Sequence, residues 1–157
     1  MKPLEGKVSL VTGGTRGIGR AIVLALADAG CHVVFNYAQS KTQAEELVAL
    51  ARQKGVRAEA FQANVANETE INTMAEQVLA AFGPISILVN NAGVTRDRSF
   101  LKMTRSQWDE VIRINLDGVF NVTHAFLAPM LSTGWGRIIN ISSVVGLTGN
   151  FGQTNYA

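Results

Sequence analysis

The sequence predicts an α/β fold built on a parallel sheet, and two observations carry that prediction. From residue 7 onward, short apolar runs rich in β-branched residues alternate with amphipathic helical patterns, as in repeated strand-helix-strand units. A glycine-rich turn at residues 13–19 directly follows the first of these runs. Such a turn after the first strand is typical of a doubly wound sheet that binds a nucleotide. We therefore expect one domain over residues 1–157.

The first half of the chain contains three predicted strands with two helices between them. The strands are expected at residues 8–11, 31–37 and 58–63, the last being the least apolar. The first helix ends at Gly30, and its predicted core face is made of Ile18, Ile22, Ala25, Leu26 and Ala29. The second helix ends before Gly55, and its predicted core face is made of Ala44, Leu47, Val48 and Ala51.

The second half adds two helices and two strands. Asn67 is expected to cap a helix that ends at Gly83 and Pro84, with a core face of Ile71, Met74, Ala75, Val78, Leu79 and Phe82. A fully apolar fourth strand follows at residues 85–89, and a loop then extends to Lys102. A long helix from about Thr104 precedes the fifth strand, at residues 137–141.

Composition excludes several classes of protein. Hydrophobic residues make up 47% of the chain and charged residues 17%, which fits a globular domain with a sizeable core. The net charge is +2, without a basic block of the kind that binds nucleic acid or anionic membrane. Because Cys31 has no disulfide partner and residues 1–6 do not resemble a leader peptide, we expect a cytoplasmic protein. His32 and His124 are isolated, so no metal site is expected.

The end of the chain falls where another helical pattern is about to start. Doubly wound sheets usually have about six strands, whereas five are predicted here. We therefore expect the sequence to be a fragment of a longer chain that ends just after Tyr156. A sheet that stopped here would leave the edge of the fifth strand and part of one face uncovered.

The glycine turn has the chemistry of a diphosphate site. Glycine lets the backbone approach a ligand closely, and the start of the following helix presents free N–H groups and a partial positive charge. No Lys-Ser or Lys-Thr pair follows, which argues against a P-loop. The spacing, Gly13-x3-Gly17-x-Gly19, also departs from Gly-x-Gly-x-x-Gly.

Two polar positions invite a functional interpretation. Asn115 interrupts an apolar helical stripe, and a buried amide without partners costs about 1 to 3 kcal/mol. It either serves a function or bonds to nearby backbone, and spacing alone does not choose between these. Ser142 and Ser143 follow the fifth strand, at the sheet edge where such folds bind ligands, although serines there often only cap turns.

These motifs together resemble those of the short-chain dehydrogenase/reductase family, which has a Rossmann-type fold. The matches, in the family's order, are Thr12-Gly13-x3-Gly17-Ile18-Gly19, Asn90-Asn91-Ala92-Gly93, Asn115, Ser143 and Tyr156. The resemblance implies a reductase that uses a nicotinamide dinucleotide. The cofactor contacts that it implies are Gly13, Thr15, Arg16, Gly17, Ile18, Gly19, Asn36, Asn64, Val65, Asn91, Ala92 and Gly93.

The resemblance also implies the catalytic roles. Asn115 would hold a water in a proton relay, Ser143 would hydrogen-bond the substrate carbonyl, and Tyr156 would donate its phenolic proton to that carbonyl. A phenol exchanges its proton efficiently at neutral pH only beside a cation, which in the family is a lysine four residues after the tyrosine. We expect that lysine in the continuing chain, and we expect no significant reductase activity from residues 1–157 alone.

The choice of cofactor rests on the end of the second strand. An acidic residue there holds the ribose 2′-hydroxyl of NAD and would repel the 2′-phosphate of NADP. Here the strand ends Phe35-Asn36-Tyr37 without an acid, while Arg16 can reach toward a phosphate as a permanently charged donor. NADPH is therefore the expected cofactor.

The expected substrate is a 3-oxoacyl thioester, again by resemblance. Residues 93–97, 102–104 and 152–156 are similar to those of 3-oxoacyl thioester reductases. Residues 134–138 and 151–156 look most like acetoacetyl-CoA reductases, because acyl-carrier-protein reductases often have basic residues before the fifth strand where this chain has Gly134-Trp135. The main expectation is reduction of acetoacetyl-CoA to 3-hydroxybutyryl-CoA, with CoA phosphates near Arg96, Arg98 and Lys102.

Other functions stay open at this point. The first alternative is a 3-oxoacyl-(acyl-carrier-protein) reductase of fatty acid synthesis. A second, of another class, is a non-catalytic NADP-binding subunit, against which Asn115, Ser143 and Tyr156 argue. A methyltransferase is a weaker rival, because its cofactor has no diphosphate for the glycine turn. The family resemblance further suggests a homotetramer.

Overall fold

The structure, a computed structural model that describes residues 2–157, is a five-stranded parallel sheet with helices on both faces. The strands are β1 (Val8–Val11), β2 (His32–Tyr37), β3 (Ala58–Gln62), β4 (Ile87–Asn90) and β5 (Arg137–Asn140). The order in the sheet is β3-β2-β1-β4-β5, and all four pairings are parallel. The predicted fold class is therefore confirmed, and each strand lies within two residues of its predicted bounds.

The helices follow the strands in alternation. They are α1 (Gly17–Asp28), α2 (Lys41–Arg52), α3 (Glu68–Phe82), α4 (Arg105–Ile112), α5 (Gly118–Ser132) and the single turn α6 (Val145–Thr148). A short 3-10 turn, Phe100–Lys102, lies in the predicted loop before α4. The side chain of Asn67 accepts hydrogen bonds from the N–H groups of Thr69 and Glu70, so it caps α3 as predicted.

Each face of the sheet has its own core. On one face α1 and α2 pack on the sheet, and the buried set includes Val11, Val23, Val33, Phe35, Leu47 and Val89. On the other face α3 and α5 pack on it, and the buried set includes Leu10, Val34, Ile71, Val78, Leu88 and Phe126. Neighbouring strand residues point to opposite faces, so both faces of the central strands are apolar, as a doubly wound sheet requires.

The predicted core face of α1 is only partly correct, since Ile22 and Leu26 pack against the core but Ile18 does not. Gly19, Val23 and Ala27 face the sheet, whereas Ile18 is 63% exposed. The reason is the close packing of Gly19, where a Cβ would overlap the carbonyl oxygen of Gly13. This contact sets the rotation of α1 about its axis, and the hydrophobic pattern alone did not reveal it.

The predicted long helix is interrupted. Thr104 caps α4 with a capping box that it shares with Gln107. Residues Arg113–Asp117 then form a π-helical turn before α5 begins. Since a π turn inserts extra backbone and rotates the following residues, the even helical spacing predicted across Asn115 does not hold.

The edge of the sheet at β5 is exposed in the described residues, as predicted. Ile138 is 41% and Ile139 46% exposed. A shallow apolar groove of about 470 Å³ runs between this strand and the end of α5, lined by Leu127, Met130, Leu131 and Ile138, among others. The part of the chain that the structure covers contains no helix long and apolar enough to cross a membrane.

Candidate functional site

The loops after the strands meet at the carboxyl edge of the sheet and carry the predicted site residues. Parallel strands bring their carboxyl ends to one edge, which is where such folds bind ligands. The side chain of Thr12 after β1 bonds to the N–H groups of Asn91 and Ala92 after β4, both at 2.9 Å. In return, the amide of Asn91 donates to the carbonyl oxygens of Thr12 and Gly13. The two loops therefore form one fixed surface.

The glycine turn packs closely against the loop after β4 at Gly13, whereas the space beside Gly17 is open. Gly13 has a φ of 66°, and a Cβ there would lie 3.1 Å from Cα of Ala92. No side chain among residues 2–157 caps the start of α1, and its first turn has no acidic residue. The first N–H groups of this helix have no partner within it, so they form a cradle for an anion. The turn therefore fits the diphosphate of a dinucleotide.

Arg16 and Ile18 flank this cradle with exposed side chains. Arg16 precedes α1 and forms no ion pair with the described residues. Ile18 was predicted both as a core residue and as a cofactor contact, and its exposure is compatible only with the second role.

Asn36 lies in a different setting from the one predicted. It is 2% exposed, inside β2. Its Oδ1 accepts a hydrogen bond from the N–H of Gly13 at 3.0 Å, and its Nδ2 donates to the carbonyl oxygen of Ala63 at 2.7 Å. A buried amide engaged at both ends is not available to a ribose. The predicted direct contact of Asn36 is therefore replaced by support of the glycine turn.

Asn64 and Val65 follow β3 at the same edge. Asn64 is exposed, and its Oδ1 accepts from the N–H of Ala66 at 3.0 Å. Val65 is buried against Gly118, where a Cβ would press on its side chain. Asn121 of α5 also donates to the Val65 carbonyl oxygen at 2.9 Å. These contacts fix the loop that was predicted to border the adenine.

Asn115 lies in the π turn and uses its side chain on Val94. Its Oδ1 accepts from the Val94 N–H at 2.9 Å, and its Nδ2 donates to the Val94 carbonyl oxygen at 3.0 Å. The alternative that Asn115 bonds to backbone is thus realised, although Val94 is distant in sequence. This pair of bonds anchors the loop after β4, next to Gly93, to the π turn.

Ser143 is half-buried, whereas Ser142 is exposed. The Ser143 Oγ accepts a hydrogen bond from the N–H of Val145 at 3.2 Å. A hydroxyl that accepts a bond in this way keeps its own proton free to donate. Ser143 can therefore act as a hydrogen-bond donor to a substrate oxygen.

Tyr156 is also half-buried, and its backbone N–H donates to Gln153 at 2.9 Å. The carbonyl oxygen of Ala157 lies 3.7 Å from the point that a Cβ atom would occupy if Gly146 had a side chain. The end of the described chain is therefore adjacent to the turn that follows Ser143. The sequence motifs pointed to Tyr156 and Ser143 as candidate residues, and the fold places their segments side by side.

The predicted phosphate contact of Arg96 is not supported. Its guanidinium forms a two-pronged ion pair with Glu110 of α4, with Nε 2.7 Å from one carboxylate oxygen. The charge is therefore balanced within the protein. Arg98 and Lys102 are exposed and form no ion pair in the described part of the chain.

Sequence reasoning missed three supporting residues. Thr12, Glu110 and Asn155 each hold a loop of the site through side-chain hydrogen bonds. Thr12 and Asn155 stand inside quoted motifs, and both are polar residues beside assigned ones, which was the available signal. Glu110 is an ordinary helix acid in sequence, and only the fold places it beside Arg96.

Comparison with known proteins finds one family whose members match nearly the whole chain. The family model described as short chain dehydrogenase matches residues 7–157. The 3-oxoacyl-(acyl-carrier-protein) reductase FabG of Aquifex aeolicus (strain VF5) is 50% identical over 157 residues, which cover 98% of this chain and 62% of that protein. The protein of the same name from Staphylococcus aureus (strain Mu50) is 50% identical over 150 residues, 96% of this chain and 61% of its own.

A third relative with that name, from Staphylococcus epidermidis (strain RP62A), is 48% identical over 150 residues, covering 96% of this chain and 62% of the relative. The chain thus spans about three fifths of the length of these curated relatives.

Proposed function

Because the chain belongs to the short-chain dehydrogenase family, we propose that it contributes the cofactor site and most catalytic side chains of an NADPH-dependent 3-oxoacyl thioester reductase. The single observation that carries the proposal is the joined surface at the carboxyl edge of the sheet. There the uncapped glycine turn is tied to the loop after β4, which Asn115 in turn holds. The proposal concerns the whole protein, since the chain spans about three fifths of the length of its curated relatives.

We assign the dinucleotide to this surface. Gly13, Thr15, Arg16, Gly17, Ile18 and Gly19 would contact the diphosphate and adenosine half, with Asn64 and Val65 beside the adenine. Asn91, Ala92 and Gly93 would line the ribose next to the nicotinamide, and Asn36 supports the turn from below. Bound NADPH would supply a hydride to the keto carbon of the substrate.

The chain's own residues manage the proton and the carbonyl oxygen. The Tyr156 hydroxyl gives its proton to that oxygen, and Ser143 donates a hydrogen bond to it. Asn115, whose side chain is engaged at both ends by Val94, fixes the neighbouring loop and so supports the route that returns a proton to the tyrosine. This assignment is supported by the free donor capacity of Ser143 and by the adjacency of the segments that carry Ser143 and Tyr156.

For the substrate, we favour the acyl-carrier-protein thioester over acetoacetyl-CoA. The relatives named above are reductases of carrier-protein esters, which favours the alternative over the first expectation. The fold weakens that expectation further, because Trp135 precedes β5 and so lies at the amino edge of the sheet, opposite the candidate site. The Trp135 ring packs beneath Lys7, whose Nζ lies 4.3 Å from the ring centroid. In addition, Arg96, which was expected near the CoA phosphates, is paired with Glu110.

The test compares the two esters directly. The complete protein is assayed with the same 3-oxobutyryl group on acyl carrier protein and on CoA, with NADPH and with NADH, by loss of reduced-cofactor absorbance. We expect the highest kcat/KM with the carrier-protein ester and NADPH. Equal or better turnover of the CoA ester would restore the first expectation, and turnover of neither ester would refute the proposed function.

Two properties of the whole protein complete the proposal. We expect a cytoplasmic enzyme, since the described residues hold a single buried cysteine and no disulfide. We also expect a homotetramer. The exposed apolar side chains along the outer face of α5, which include Phe120, Leu127 and Leu131, are compatible with contacts between subunits, and light scattering tests this.

A further inference from the structure

One loop holds two of the three candidate catalytic segments, those of Asn115 and Tyr156. Residues 94–98, here called the bridging loop, follow β4. At its start, Val94 is bonded through both backbone groups to the Asn115 side chain. At its end, the N–H of Arg98 donates to the carbonyl oxygen of Gly152 at 2.7 Å. The bridging loop thus joins the π turn to the segment before Tyr156.

Between these ends, the bridging loop binds two more residues of that segment. Gln153 donates from Nε2 to both carboxylate oxygens of Asp97, at 3.0 and 3.1 Å, in an exposed contact. Asn155 donates from Nδ2 to the carbonyl oxygen of Arg96 at 3.2 Å. The second contact is the protected one, because Asn155 is 5% exposed.

The same Asn155 amide also reaches α4. Its Nδ2 donates to the carbonyl oxygen of Gln107 at 3.2 Å. Gln107 is fixed by the capping box with Thr104 at the start of α4. The other acceptor, Arg96, is fixed to the same helix by its ion pair with Glu110. Both carbonyl oxygens that receive the amide are therefore held in place.

Asn155 is the residue directly before Tyr156, whose own N–H is bonded to Gln153. We propose that Asn155 is a positioning residue for Tyr156, and that its amide fixes the backbone from which the tyrosine hydroxyl reaches the substrate. This inference rests on the proposed function, because it concerns the same active site. It adds a residue to which the family resemblance assigned no role.

The chemistry of the contact requires an amide donor. One planar NH₂ group supplies two hydrogens to two carbonyl oxygens, and its Oδ1 is buried without a partner among residues 2–157. An aspartate of the same shape would place a carboxylate against both carbonyl oxygens. Once protonated, however, the acid has one O–H that can donate to one of them. The Asn155→Asp change therefore makes positioning depend on pH.

The experiment uses the complete protein, with Asn155→Asp and Asn155→Ala as test variants. Asn72→Asp, at an exposed site of α3, is the control for an added charge. We expect kcat to fall roughly 10- to 100-fold in both test variants, as displaced catalytic groups typically cause. The KM for NADPH should stay within about twofold of the parent's, since the change does not touch the residues proposed to bind the cofactor. Lowering the pH should raise kcat of Asn155→Asp, but not of Asn155→Ala, relative to the parent.

A second readout does not need activity. Fluorotyrosine incorporated into the parent and into Asn155→Ala is observed by fluorine NMR, with Tyr156→Phe used to assign the resonance. We expect the Tyr156 resonance to shift or broaden in Asn155→Ala while the other tyrosine signals stay unchanged.

The outcomes separate the two proposals. A parent protein that reduces neither ester refutes the proposed function, and the Tyr156 resonance then decides on positioning alone. A folded Asn155→Ala variant with parental kcat and an unchanged Tyr156 resonance overturns the role of Asn155. An equal loss of kcat in Asn72→Asp would also overturn it, because charge alone would then explain the Asn155→Asp result.

Discussion

At the scale of single residues, we expect Arg16 to decide which cofactor the site prefers. Its side chain is exposed just before α1 and forms no ion pair with the described residues. A guanidinium binds a phosphate through charge-assisted hydrogen bonds. Arg16 should therefore strengthen binding of NADPH, which carries a 2′-phosphate, and not of NADH, which lacks it. We expect Arg16→Ala to lower kcat/KM for NADPH roughly 10-fold while leaving that for NADH nearly unchanged.

The control for this change is Arg20→Ala, which removes an exposed arginine one turn further along α1. It should leave the preference between the two cofactors as in the parent. Equal losses with NADPH and NADH in Arg16→Ala would mean that Arg16 contacts the diphosphate they share, or only supports the fold.

Cys31 gives a second prediction, about pH. Its side chain is fully buried, and burial raises the pKa of the thiol, with a smaller opposing effect from a hydrogen bond to Ser9. The folded state therefore favours the protonated thiol. The stability that the protonated thiol contributes is present below the pKa of the thiol in the unfolded chain, and it is lost as pH rises through the higher folded-state pKa.

The measurement is the free energy of unfolding in urea from neutral to alkaline pH, for the parent and for Cys31→Ala. The parent should lose more stability than the variant as pH rises through the alkaline range. A thiol reagent should also label folded protein much more slowly than unfolded protein. Parallel pH profiles of the two proteins would contradict the prediction.

Single residues also show where sequence reasoning stops. The sequence named Asn36, Arg96 and Asn115 as site residues, and all three lie at the predicted edge of the sheet. Their partners were not predictable, because Gly13, Glu110 and Val94 become neighbours only when separate loops meet. Motif residues can be located in a sequence, whereas the supporting contacts belong to the folded chain.

At the scale of secondary-structure elements, hydrophobic periodicity predicted which helices and strands exist better than it predicted which face of a helix is buried. The strands and the core faces of α2 and α3 follow the expected pattern, since simple burial on one side of a regular element determines them. The face of α1 was only partly correct, because close packing at Gly19 turns the helix so that Val23 and Ala27 are the most buried. The π turn at Arg113–Asp117 was missed because no residue pattern marks an inserted backbone turn.

The cap of α3 provides a prediction at this scale. The Asn67 side chain satisfies two N–H groups at the helix start, at 3.1 and 3.3 Å. Replacing such a cap with alanine typically costs about 1 kcal/mol. We expect Asn67→Ala to lower the free energy of unfolding in urea by about that amount, with an unchanged m value.

Asn72→Ala is the matched control within the same helix. Asn72 is exposed inside α3, where alanine is the better helix former, so this variant should be as stable as the parent or slightly more stable. If both variants lost the same stability, the cap would not be the reason.

At the scale of the whole molecule, the described residues contain more of the predicted cofactor site than of the predicted substrate site. Every predicted contact to the dinucleotide lies within residues 13–93, on loops joined by side-chain hydrogen bonds. The substrate side is different, because β5 is an exposed edge and Tyr156 is followed here by a single residue. Cofactor binding and turnover should therefore separate in a polypeptide of residues 1–157.

We expect this polypeptide to bind NADPH but to show no significant reduction of 3-oxoacyl thioesters, since no cation stands four residues beyond Tyr156 to assist its proton transfer. Its exposed isoleucines on β5 should also bind a hydrophobic dye. Fluorescence titration with NADPH measures the first property and a turnover assay the second, beside the complete protein as reference. Turnover equal to that of the complete protein would show that Tyr156 works without that cation. Binding of the dye without any binding of NADPH would mean that the glycine turn needs further chain to keep its shape.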